Sequence, residues 1–121
     1  MNNVRPFPCG NSVLIVDDDP NVRDFLRLLF EFDDFEVNDA ANGPEALACA
    51  LRQEPEIIVL DHQMPGMNGD KVAPVLRTLV PDARIVAFSA SLQDKPDWAA
   101  AFLNKDRIAE ISPMLTALMP V

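Results

Sequence analysis

Short unbroken apolar runs alternate along this chain with stretches in which apolar residues recur at helical spacing. VLIV (13–16) and IIVL (57–60) are apolar throughout, the pattern of strands buried on both faces. After the first run, Asp19 and Pro20 read as an N-cap followed by proline at the first helical position. Val22, Phe25, Leu26 and Leu29 then mark one face of a helix, which Asp33-Asp34 should break. FEVNDAA (35–41) is a weaker, more polar strand suited to a sheet edge. Gly43-Pro44 opens a second helix with Leu47, Ala50 and Leu51 as its stripe. The turn-rich MPGMNGD (64–70) leads into a third helix over about 70–79, where Pro74 fits only within the first turn. Runs 85–88 and 101–103 are two further strands. A last helix starts near Ile108, delayed by Ser112-Pro113. Between these last two strands, ASLQDKPD (90–97) holds Pro96 and leaves little room for a helix of about three turns. The fourth helix of the alternation should be short, irregular or missing.

Strand–helix alternation over this length implies a doubly wound parallel sheet with helices on both faces. In such sheets ligands bind beyond the carboxyl ends of the strands. Asp17 and Asp18 directly follow the first strand, Asp61 the third and Ser89 the fourth, and Lys105 follows the fifth after two residues. Reactive and charged groups therefore gather at one edge. Three adjacent carboxylates, Asp17 to Asp19, repel one another unless positive charge sits among them. A divalent metal ion answers that need, with Asp19 left to cap its helix. Taken singly, each of these residues reads as a solvated loop side chain; the ordered set is what indicates a site.

Composition narrows the function. At 121 residues the chain is expected to form one domain, residues 12–121, after a lead-in of residues 1–11. Ten Lys+Arg against 19 Asp+Glu give a net charge of −9, which argues against direct nucleic-acid or anionic-membrane binding. Cys9 and Cys49 have neither metal-ligand spacing nor company for a disulfide framework, in keeping with a reduced, cytoplasmic setting. No apolar run reaches the roughly 20 residues of a membrane span, and MNNVRPFPCGN lacks the apolar core of a secretory signal.

VDDDP (16–20), VLDHQMPGMNG (59–69), FSAS (88–91) and AFLNK (101–105) together resemble the receiver domain of two-component response regulators, the CheY-like superfamily. The resemblance runs from about Asn11 to the end, and LDxxMPGxxG is specific by itself. It implies a flavodoxin-like five-stranded sheet in the order 2-1-3-4-5. It also implies that Asp61 accepts a phosphoryl group, that Asp17 and Asp18 hold Mg²⁺ with Asp61, and that the Gln63 carbonyl is a further ligand. Ser89 and Lys105 would contact the phosphoryl oxygens, and Phe102 stands where the family carries a switching aromatic, although strand packing explains it equally well. The implied protein is a phosphoprotein switch rather than a turnover enzyme. Its phosphoryl donor would be a sensor histidine kinase or phosphotransfer protein, and its output an effector protein or an output domain outside these residues.

Several residues depart from that pattern or lie beside it. Asp106 follows Lys105 where the family usually has proline with a cis bond, which before a non-proline residue costs about 3 kcal/mol. With the fourth helix altered, the face through which many relatives form homodimers must differ here. Gly69 is expected to allow a tight backbone before the third helix, Met64-Pro65-Gly66 to shape the loop, and His62 to be an inconsequential exposed loop residue. Two other readings stand beside the switch: a receiver-like interaction module independent of phosphate, and an aspartate-nucleophile phosphohydrolase, since Asp17 and Asp19 form a D-x-D after a strand. The hydrolase would need a longer chain and a hydroxyl residue where Asn21 stands.

Overall fold

The computed structural model describes residues 11–119. Strands β1 (Ser12–Val16), β2 (Glu36–Ala40), β3 (Ile57–Leu60), β4 (Arg84–Ser89) and β5 (Ala101–Asn104) form one sheet in the order β2-β1-β3-β4-β5, parallel throughout. This is the expected flavodoxin-like order. Helices α1 (Pro20–Phe32), α2 (Gly43–Gln53), α3 (Gly69–Leu79) and α4 (Ile111–Leu118) cover it. The lead-in and Cys9 fall on residues 1–10, outside the described residues, while Asn11 accepts from the Glu36 N–H beside β1.

Strand alternation separates two cores. Leu14, Val16, Ile58 and Leu60 pack with Ala46 and Ala50 of α2 and Val72 and Leu76 of α3. Val13, Ile15, Ile57 and Val59 face the other way, onto Leu26 and Phe30 of α1 and Ile111 and Leu115 of α4. Burying each of the Val, Leu, Ile and Phe side chains stabilises the fold by about 1.5–3 kcal/mol. Strands apolar on both faces are thereby held between two helical layers, and β2, at the edge, is the polar one.

Local signals set most element ends. Asp19 caps α1 by accepting from the Asn21 N–H at 2.9 Å, with Pro20 at the first helical position. Asn42 caps α2, and Glu45 reaches back to the Ala41 N–H, a reciprocal arrangement that satisfies two otherwise free donors. At the end of α1, Asp33 is the C-cap and Asp34 turns the chain at φ 67°.

Three features differ from or sharpen the sequence expectations. Pro74 lies inside α3, beyond its first turn, so α3 forgoes the bond a residue-74 N–H would make to the Asp70 carbonyl. The stretch 90–100 between β4 and β5 contains no helix, so the fourth helix is missing rather than short. The final helix splits in two: Lys105–Glu110 is a 3₁₀ segment, and α4 begins at Ile111, which puts Pro113 in its first turn.

Candidate functional site

Asp17, Asp61, Ser89 and Lys105 stand at the carboxyl ends of β1, β3, β4 and β5, and a cleft of about 490 Å³ opens beside Asp18, Asp61, Gln63, Ser89, Ser91 and Lys105. Parallel register places these ends level. The Asp61 N–H bonds the Val16 carbonyl and the Asp17 N–H the Ala40 carbonyl, extending the ladder into the loops. Asp17 is further held by its Oδ1, which accepts from the Asp19 N–H at 2.9 Å, and by Arg23, which donates to its carbonyl at 2.7 Å.

Asp17, Asp18 and Asp61 each present a carboxylate oxygen within 4.8 Å of the others. Lys105 supplies positive charge: its Nζ lies 2.7 Å from Asp17 Oδ2 and 3.5 Å from Asp61 Oδ2. One ammonium does not balance three carboxylates. Burial, then the Asp17 charge, pushes the Asp61 carboxyl up to about 6, against the opposing pull of Lys105. Burial disfavours the Lys105 charge, yet its contacts with Asp17 and Asp61 hold its pKa above the usual value.

This donor set fits a hard divalent cation such as Mg²⁺. The ligands are oxygens, three of them approach within 4.8 Å of one another, and the single Lys105 ammonium, 2.7 Å from Asp17 Oδ2, leaves their charge under-compensated.

The Ser89 hydroxyl is turned to its own loop. It lies 3.0 Å from Ser91 Oγ and accepts from the Ser91 N–H at 3.1 Å. Phe102 is half-buried opposite Ala87. Gln63 is exposed at the rim, and Asp19, as expected, serves as helix cap. No cis peptide bond occurs among the described residues, so Lys105-Asp106 is trans. Lys105 reaches the carboxylates from the start of the 3₁₀ segment, whose cap is Asn104, bonded to the Asp106 N–H.

Gly69 is needed where it stands. A Cβ there would come 2.9 Å from the Asp61 carbonyl and 3.1 Å from His62 Cα. His62 departs from expectation: its side chain is 18% exposed and Nε2 lies 2.9 Å from Asp70 Oδ2. Asp70 Oδ1 accepts from Trp98 Nε1 at 2.8 Å. Sequence reasoning passed over Ser91, Asp70 and Trp98. The S-x-S spacing after β4 was a usable signal for Ser91, whereas Asp70 and Trp98 meet across 28 residues with no local cue. A separate groove of about 610 Å³ between α3 and the 97–100 stretch gathers no comparable set of reactive groups.

Comparison with known proteins gives consistent results. A family model, the response regulator receiver domain, matches residues 13–106. The transcriptional regulatory protein SrrA of Staphylococcus aureus is 40% identical over 68 residues, 56% of this chain and 28% of SrrA. The chain thus spans well under half the length of the curated relatives it matches. Among solved structures, the response regulator TrrA of Thermotoga maritima in complex with Mg²⁺-BeF is 30% identical, with TM-score 0.75 over 87% of this chain and 98% of that one. TrrA also matches in its complex with the histidine kinase ThkA, at 30% identity and TM-score 0.74 over 87% of this chain and 97% of TrrA. A Rhodopirellula baltica chain described as adenylate cyclase is 30% identical with TM-score 0.78, covering 90% of this chain and 87% of that one.

Proposed function

Because the chain belongs to the response regulator receiver domain family, we propose that it is a phosphorylation-controlled switch with Asp61 as phosphoacceptor. The observation that carries this is the close approach of the Asp17, Asp18 and Asp61 oxygens, with Lys105 beside them, at the carboxyl edge of the sheet. An Asp61 carboxylate oxygen attacks phosphorus. The new O–P bond forms as the P–N bond to a donor histidine breaks, and the departing imidazole nitrogen takes a proton from solvent. Donor and acceptor are both anionic, so positioning and charge neutralisation carry most of the barrier reduction.

Asp17, Asp18, Asp61 and the Gln63 carbonyl would hold Mg²⁺, which supplies neutralisation of the phosphoryl charge. Lys105 offers a mobile ammonium to a second phosphoryl oxygen. Ser89 exchanges its contact with Ser91 for a charge-assisted bond to a third, which biases the 90–100 stretch. Phe102 follows that shift by packing alone, having no hydroxyl.

The TrrA–ThkA complex supports a histidine kinase, or a phosphotransfer protein, as donor. SrrA, a transcriptional regulatory protein of which this chain matches 28%, supports an output domain outside these residues; a separate effector protein and a cytoplasmic setting belong to the same reading. The domain assists its own phosphorylation and dephosphorylation without being a turnover enzyme. Among the described residues no helix is long and apolar enough to cross a membrane.

The decisive test is incubation with Mg²⁺ and acetyl phosphate followed by intact mass measurement. One acid-labile phosphoryl adduct is expected on the parent and on Asp19→Ala, and none on Asp61→Asn. The missing helix and Asp106 favour one rival, the phosphate-independent interaction module; a parent protein that takes no adduct would overturn the switch and shift weight to that module.

A further inference from the structure

Three side chains from three segments close a ring around Gly69. His62, next to Asp61, is held by its Nε2 to Asp70 Oδ2 at 2.9 Å. Asp70 belongs to the first turn of α3, and its other oxygen accepts from Trp98 Nε1 at 2.8 Å. Trp98 lies in the helix-free stretch that follows Ser89 and packs against the core on the α2/α3 face. Its ring comes within 3.4 Å of the position a Gly69 Cβ would take, and the Gly69 N–H bonds the His62 carbonyl at 2.7 Å. Asp70 is held below the usual carboxylate range by the Trp98 N–H and then by His62, so it is an ionised acceptor for both. His62 therefore donates from Nε2, and its tautomer and ring orientation are set by a residue the phosphoryl chemistry does not touch.

The consequence is mechanical. Where a fourth helix is absent, the 90–100 stretch still needs an anchor, and Trp98 provides one to the start of α3. The same carboxylate anchors the residue adjoining the acceptor. We infer that Asp70 and Trp98 are positioning residues for Asp61: through His62 they tie the acceptor loop to the β4–β5 segment, so that the two shift together when Asp61 is modified. This rests on Asp61 being the acceptor, as proposed above.

Trp98 is the single tryptophan and the chain has no tyrosine, so indole fluorescence reports on the surroundings of this side chain and the indole N–H resonance on its bond to Asp70. Acetyl phosphate with Mg²⁺ should shift both signals in the parent. Trp98→Phe keeps an aromatic ring and removes the donor. In it the amide resonances of residues 61–63 should move before any phosphorylation, and the adduct half-life should change by about threefold to tenfold, the size of a coupling through packed side chains. Asp70→Ala should behave alike. Asp70→Asn keeps an acceptor for the indole and turns an NH2 donor toward Nε2, which the neutral imidazole meets by carrying its proton on Nδ1; the half-life should return toward the parent's, an effect that loss of stability alone would not produce. If the adduct forms and decays identically in the parent, Trp98→Phe and Asp70→Ala, the positioning role is overturned while Asp61 stands as acceptor. A parent that takes no adduct overturns both.

Discussion

Asp61 is the residue on which opposing physical effects meet. Its carboxyl sits at about 6 in the folded protein against 3.8 as reference. Below the lower value it is neutral in folded and unfolded chains alike, and it costs nothing. Between the two values only the unfolded chain ionises, and above the higher one the folded chain carries a buried charge in full. Stability should therefore fall as pH rises through this window. Asp61→Asn removes the penalty, and urea denaturation should show it more stable than the parent by about 1–2 kcal/mol at neutral pH, with the gain gone near pH ~4. An equal difference at both pH values would contradict this account. The acids and the lysine of the site were readable because each lies within two residues of the carboxyl end of an expected strand. His62 was not: nothing local in the sequence says that a loop histidine will find Asp70 eight positions on.

Among the elements, the acceptor loop meets α3 backbone to backbone. The Gly69 backbone lies against the Asp61 carbonyl and His62 Cα, so Gly69→Ala must push the loop or α3 outward. A destabilisation of about 1–3 kcal/mol is expected in denaturant titrations, together with shifted amide resonances at residues 61 and 62. Unchanged stability would mean the loop yields freely and is not held as described. The strands were legible because runs apolar on both faces have few other places to go, and α1 and α2 because caps and prolines mark their starts. Pro74 shows the limit of such rules. α3 runs on past it because Val72 and Leu76 on either side are fully buried, and their packing outweighs one missing hydrogen bond.

For the molecule as a whole, three carboxylates and one ammonium make a site that gains from a cation in the folded state only. Adding Mg²⁺ at about ten times its dissociation constant should stabilise the protein by about 1.4 kcal/mol, a rise of several degrees in Tm. Chelation should reverse the rise, and acidification below about pH 5 should abolish it, because the ligands must be deprotonated. A melting temperature indifferent to Mg²⁺ at neutral pH would remove the metal from the mechanism. Hydrophobic period and turn chemistry are local, and they led to the parallel alternation, the polar edge strand, a fourth helix short, irregular or missing, and the gathering of Asp17, Asp18, Asp61, Ser89 and Lys105 at one edge. Folding in three dimensions settled which partners those groups take: Lys105 between Asp17 and Asp61, Ser89 with Ser91, and His62 with Asp70 and Trp98. Such pairings depend on the paths of loops after the strands are laid side by side, and a path of that kind is set by packing across the whole domain.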